Sequence, residues 1–198
     1  MKLARPFHPR LRLCRRVHPW GTRIFSHRPS GLWVGAATGK LLWKNDNAKA
    51  TYGTPARARI RDTDVVITPK GDVVRVADGK ILAADLGNCL YASPVVQDNV
   101  VYFIESDTSA VRLPDQAGDR IRCQELWSGN LSGEFYASPL VDGGRIYTVD
   151  KAANYYVLDA KSGRPILNQT LEFSRTDGAK VYPSPCLAGK FLFIGTNN

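Results

Sequence analysis

Phe135–Asp159 reads FYASPLVDGGRIYTVDKAANYYVLD, and its opening words recur in the 198-residue chain. Tyr91-Ala92-Ser93-Pro94-Val95-Val96 lies 45 residues before the matching Tyr136–Val141, and Tyr182-Pro183-Ser184-Pro185-Cys186-Leu187 lies 46 residues after it. Tyr102, Tyr147 and Phe193 each fall eight residues beyond their proline, so the match continues past the opening words. Within the quoted copy, Pro139–Val141 is a short apolar run closed by the turn Asp142-Gly143-Gly144. Arg145–Val149 alternates, Tyr155–Leu158 is aromatic and β-branched, and Ile166–Leu171 supplies a fourth strand after the turn Asp159–Gly163. Four short strands repeated every forty-odd residues are the content of a propeller blade. The predicted class is all-β: an incomplete β-propeller of four-stranded antiparallel blades, with about three to four blades present.

Working outward, the copy before runs over Tyr91–Trp127, with Gln116–Arg120 lengthening its outer loop. An earlier copy opens at Tyr52-Gly53-Thr54-Pro55, with its second strand at Val65–Thr68 and its third at Val73–Val76. The last copy begins at Tyr182 and holds two strands by Asn198. Residues 1–30 differ in kind. They hold eight Lys and Arg, all three His and no acid, whereas the remainder has 19 basic and 18 acidic residues. The net charge of +9 therefore belongs to this segment, which is expected to be unstructured, and residues 31–198 form the partial propeller. A solvated tail is the favoured reading of the basic arm, and a nucleic-acid role is not expected. Pro6, His8, Pro9 and the following arginines interrupt any apolar segment of signal-peptide type. No apolar run approaches the length needed to span a membrane. Cys14, Cys89, Cys123 and Cys186 are widely spaced without a CxxC, so isolated and mostly buried thiols are expected, with a single disulfide left open.

A second marker has the same period. Ala37-Thr38-Gly39-Lys40-Leu41-Leu42-Trp43 is a tight turn followed by a strand ending in an indole. Ala83, Trp127 and Leu167 take the place of Trp43 in later copies, at spacings of 40, 44 and 40 residues. The phrase resembles the docking segment of pyrroloquinoline-quinone-type propeller repeats, Ala-x-Asp-x-x-Thr-Gly-x-x-x-Trp, in which each blade docks onto the next. The resemblance covers roughly residues 31–198. It implies a ring of seven or eight blades in the whole propeller, so this chain reads as part of one. It also implies two functions: a non-enzymatic protein-interaction scaffold of the cell envelope or periplasm, or part of a quinone-dependent alcohol or sugar dehydrogenase.

The dehydrogenase reading would bring pyrroloquinoline quinone, calcium and adjacent cysteines, and this sequence has no Cys-Cys pair. Asp62, Asp64, Asp72, Asp98, Asp142 and Asp159 flank glycines or end strands, where turns favour them. No paired carboxylates stand out, and every histidine lies in the basic arm, away from any Ser/His/Asp set. Tyr91, Tyr136 and Tyr182 could stack on bases or sugars, but identical placement in each repeat favours blade packing, and Trp43 and Trp127 read the same way. No catalytic, cofactor-binding or metal-ligating residue is assigned, no cofactor is expected, and the scaffold reading is preferred. Partners are expected to be proteins bound at blade edges and loops. Self-association through open propeller edges is expected as well, because Phe191–Ile194 is an apolar strand without a successor.

Overall fold

The computed structural model describes residues 22–25, 31–173 and 180–197. Among these residues seventeen strands form five antiparallel sheets, each a meander in sequence order. Three sheets are complete blades. Blade 1 comprises β4 (Ala56–Ile60), β5 (Thr63–Ile67), β6 (Val73–Arg75) and β7 (Ile81–Ala83). Blade 2 comprises β8 (Val95–Gln97), β9 (Val100–Ile104), β10 (Asp107–Arg112) and β11 (Gln124–Asn130). Blade 3 comprises β12 (Leu140–Asp142), β13 (Arg145–Val149), β14 (Asn154–Asp159) and β15 (Pro165–Thr170). Before them stands a three-stranded sheet of β1 (Thr22–Phe25), β2 (Gly31–Gly35) and β3 (Leu41–Asn45). After them comes the pair β16 (Cys186–Ala188) and β17 (Phe191–Phe193). The chain is thus an incomplete propeller of four-stranded blades, as the period predicts. Within the segment expected to lack structure, Thr22–Phe25 pairs with β2, and the rest of that arm lies outside the described residues.

The second strand of blade 2, β9, reads as an unbroken apolar run because both of its faces are covered. In β9, Val101 and Phe103 join Ile60, Ile67 and Val73 of blade 1, while Val100, Tyr102 and Ile104 join Ile146 and Leu158 of blade 3. Two inter-blade cores therefore share one strand, and all five of its residues are buried. The outer strand pair carries a register shift in every sheet that has one, at Trp33/Val34, Val73/Val74, Ala110/Val111 and Val157/Leu158. Each shift follows the residue opposite the docking position, so the bulge aims that position at the next blade.

Docking is done by indoles at two junctions. Trp43 Nε1–H donates to the Val76 carbonyl at 2.8 Å, and Trp127 Nε1–H donates to the Ala160 carbonyl at 3.0 Å. Each ring lies on a turn glycine three residues further on. A Cβ at Gly79 or Gly163 would stand 2.4 Å from the indole, and both glycines have positive φ (+75° and +70°). Only glycine permits that turn and that approach together.

The junction between blades 1 and 2 works in reverse. Ala83 holds the indole position, and the loop 113–123 of blade 2 folds back to fill the gap. Ala117, Ile121 and Cys123 pack on the inter-blade core, Ile121 N–H donates to the Leu82 carbonyl at 3.0 Å, and Asp119 pairs with Lys80 at 2.9 Å. The lengthened loop around Gln116–Arg120 is therefore a clasp. Cys89 is buried, Cys123 half-buried and Cys186 exposed, all as free thiols. Burial pushes Cys89 up to about 12 and Cys123 up to about 11. No helix among the described residues is long and apolar enough to cross a membrane.

Candidate functional site

The crossovers between blades carry the repeated words, and they assemble into one continuous structure. Tyr52, Tyr91, Tyr136 and Tyr182 each stand four residues before the first strand of a sheet. Those first strands are neighbours, β8 touching both β4 and β12. The rings consequently form a ladder: Tyr52 stacks on Tyr91 at 5.3 Å between centroids, Tyr91 on Tyr136 at 4.2 Å, and Tyr136 meets Tyr182 edge-on at 5.0 Å. A belt of hydroxyl groups runs beside it. Thr54 N–H donates to Ser93 Oγ at 2.8 Å, Ser93 N–H to Ser138 Oγ at 2.9 Å, and Ser138 N–H to Ser184 Oγ at 3.0 Å. The serine of each word thus accepts the backbone N–H of the preceding copy. Repetition of Tyr-x-Ser-Pro is the condition for an unbroken ladder and belt.

Carboxylates fix the crossovers. Glu105 accepts N–H groups from Leu90, Tyr91 and Ala92 at 2.9, 2.6 and 2.6 Å. Glu134 accepts the Tyr136 hydroxyl at 2.6 Å and the Lys151 ammonium at 2.9 Å, and Lys151 lies 5.2 Å over the Tyr136 ring. The carboxylate bond pushes the Tyr136 phenol up to about 12. Its own bonds to Tyr136 and Lys151 hold Glu134 below the ordinary carboxylate range. The ladder's inner rings spend their faces on each other, leaving Tyr52, 76% exposed, as the open end.

A cavity lies elsewhere, between the crossovers flanking blade 1 and the outer strand pair of blade 2. It is an open groove of about 770 Å³. One wall is Lys49, Lys70 and Asp85–Asn88 from blade 1 and its flanking crossovers, and the other is the β10–β11 face bearing Asp107, Ser109, Ser128 and Asn130. Lys49 Nζ pairs with Asp85 at 2.6 Å, Lys70 Nζ donates to Asn88 Oδ1, and Asn130 Nδ2 donates to Asp107 at 2.9 Å. Beside this wall Asp72 is buried. Its Oδ2 accepts Lys49 N–H at 2.6 Å, while Oδ1 is buried without a hydrogen-bond partner. Burial raises the Asp72 pKa. The groove presents charges of both signs together with side-chain amides and hydroxyls.

The remaining acids stay in turns and pairs. Asp159 Oδ1 accepts N–H from Lys161 and Ser162 at 3.1 and 2.8 Å, and Asp64 faces Arg57 at 3.3 Å. Among the described residues no three His, Cys, Asp or Glu are grouped to hold a metal. With no adjacent cysteines either, these residues do not fit a quinone–calcium centre. The groove was beyond the reach of sequence reading. Its walls come from residues 49 to 130 in two blades, and none of them belongs to a repeated word.

Comparison with known proteins agrees with the geometry. The model of the family "Outer membrane protein assembly factor BamB" matches residues 119–170. A search of curated proteins finds no match. Among solved structures, BamB from Moraxella catarrhalis is 14% identical with a TM-score of 0.57, over 90% of this chain and 59% of that one. A quinohemoprotein alcohol dehydrogenase from Pseudomonas putida is 12% identical with a TM-score of 0.55, over 85% of this chain and 38% of that one. The computationally designed Ika8 protein is 13% identical with a TM-score of 0.58, over 87% and 54%. Residues 119–170 thus resemble a BamB-type propeller repeat, the fold over most of the chain is similar to that of these propellers, and the chain spans about half the length of the structures it matches.

Proposed function

We propose that this BamB-like propeller arc is a non-enzymatic scaffold of the cell envelope, holding a partner protein in the groove between blades 1 and 2. The observation that carries the reading is the groove itself. It is open, polar and of mixed charge, the character of a protein-recognition surface, whose charged and polar rim sets specificity and register. Buried packing between blades 1 and 2 underlies it. The stacked tyrosines of the crossovers supply the frame.

A photo-crosslinking side chain at Ser109, with Thr170 on β15 as the control position, tests this in living cells. The scaffold reading expects a discrete envelope-protein adduct from Ser109 alone, lost when Lys70→Glu reverses the facing charge. Indistinguishable patterns from both positions would overturn it. So would dye reduction with an alcohol substrate that depends on pyrroloquinoline quinone and calcium, the outcome that the dehydrogenase reading requires.

A further inference from the structure

One position of the blade carries a different side chain in each of the three complete copies. Val73, Ala110 and Val157 stand opposite Ala83, Trp127 and Leu167, each just before the outer register shift. The residues one place earlier, Asp72, Ser109 and Tyr156, are therefore counterparts, and each faces the crossover that leads into its own blade. Tyr156 is buried, and its hydroxyl donates to the Ser132 carbonyl of that crossover at 2.9 Å. Asp72 is buried as well and accepts the Lys49 N–H at 2.6 Å. Counted back from Tyr52 and Tyr136, Ala48–Lys49 and Ser132–Gly133 are the same peptide of the repeat. A carboxylate fills the cleft at one junction and a phenol at another, both bound to that peptide.

Between blades 1 and 2 the corresponding peptide is Gly87–Asn88, which lines the groove together with Ser109. Neither the Gly87 carbonyl nor the Asn88 N–H has a hydrogen-bond partner among the described residues. The apolar surroundings differ in the same sense. Leu131 and Phe135 are buried beside Tyr156, the Phe135 and Tyr156 rings lying 6.0 Å apart. Their counterparts are Leu86, half-buried in the groove wall, and Leu90, 43% exposed. The two crossovers share their course, since Leu86 N–H donates to the Gly71 carbonyl as Leu131 N–H donates to the Ser106 carbonyl. The groove thus contains the slot that Tyr156 fills at the next junction, left open by the small side chain of Ser109.

We infer that this slot receives a tyrosine side chain of the partner protein, its ring against Leu86 and its hydroxyl donating to the Gly87 carbonyl. The inference rests on the scaffold reading of the groove and names the group recognised there. A phenol matches both parts of the slot, an apolar face for the leucine and one polar edge for the peptide. An aliphatic side chain would bury that peptide without a partner, which is penalised. A charged side chain would find Lys49 and Asp85 already paired with each other. Tyrosine is also among the residues that most often anchor protein interfaces.

Titration of the 198-residue chain with N-acetyltyrosinamide, followed by amide chemical shifts, tests this. Saturable shifts centred on Gly87, Asn88, Ser109 and Ser128 are expected. N-acetylphenylalaninamide, which lacks the hydroxyl, should bind about fivefold more weakly, the worth of one hydrogen bond. Ser109→Tyr should fill the slot from within, so that the shifts vanish and the Tm rises. Absence of shifts in the parent chain, equal binding of the two compounds, shifts that persist in Ser109→Tyr, or a lower Tm in that variant would each overturn the inference. If N-acetyltyrosinamide gives no shifts while an envelope protein is still captured at the groove, this inference fails and the scaffold reading stands.

Discussion

Trp127→Ala should uncouple blade 3 from blade 2. The indole is buried between the two blades, lies on Gly163 and joins the cluster of Tyr102, Ile104, Phe135 and Ile146. Removing a buried tryptophan costs about 3–5 kcal/mol through lost transfer energy and the cavity left behind. The lost Nε1–H bond to the Ala160 carbonyl accounts for about 1 kcal/mol of this. Against a typical total of about 5–15 kcal/mol this is a large fraction. For a chain of this size it corresponds to a fall in Tm of roughly 6–20 °C. Because repeats couple through nearest-neighbour interfaces, urea unfolding followed by circular dichroism should broaden or split, blade 3 melting first. The reciprocal substitution, Ala83→Trp, should destabilise by about 1–3 kcal/mol, because loop 113–123 already packs on that junction. A Trp127→Ala loss under about 1 kcal/mol, or a stabilising Ala83→Trp, would refute the docking argument.

Gly163→Ala should cost about 2–5 kcal/mol, the backbone term plus a Cβ 2.4 Å from the indole, whereas Gly143→Ala, at φ +54° with open space around it, should cost only the backbone term of about 1–2 kcal/mol; paired urea midpoints check this. Glu105→Gln should lower stability by about 1.5–3 kcal/mol by weakening three charge-assisted bonds to the Leu90–Ala92 crossover, and amide exchange at those residues should quicken. The Tyr136 phenol should titrate near 12 by ultraviolet absorption and return towards about 10 in Glu134→Gln. Its folded pKa lies above the unfolded one, so this contribution to stability is present below about pH 10 and is lost as pH rises through 12. Asp78, held down to about 2 chiefly by Arg75, has the opposite sign: its contribution is present above about pH 4 and lost as pH falls towards 2, and Arg75→Ala should raise its pKa in a carboxyl NMR titration.

The repeat words made the fold legible. Tyr91, Tyr136 and Tyr182 carry the period, and their stacking and the Ser93–Ser138–Ser184 belt are the physical reason that period is kept. Trp43 and Trp127 announced the docking contact through the turn-and-indole phrase. The clasp was hidden because Ala83 and the loop 113–123 look like decay of the repeat when each is read alone. Only in three dimensions do the two changes compensate at one junction. The recurrent outer bulge was hidden for another reason: a one-residue shift between paired strands leaves no mark on the periodicity of either strand. The groove was least legible, since a surface formed by two blades has no local pattern.

The most direct test of the propeller account is the set of ring-to-ring nuclear Overhauser contacts among the four crossover tyrosines in a tyrosine-labelled sample. The arc predicts contacts in chain order, Tyr52 to Tyr91 to Tyr136 to Tyr182, strongest for Tyr91–Tyr136 at 4.2 Å between centroids. Rings that contact only residues of their own repeat would contradict it.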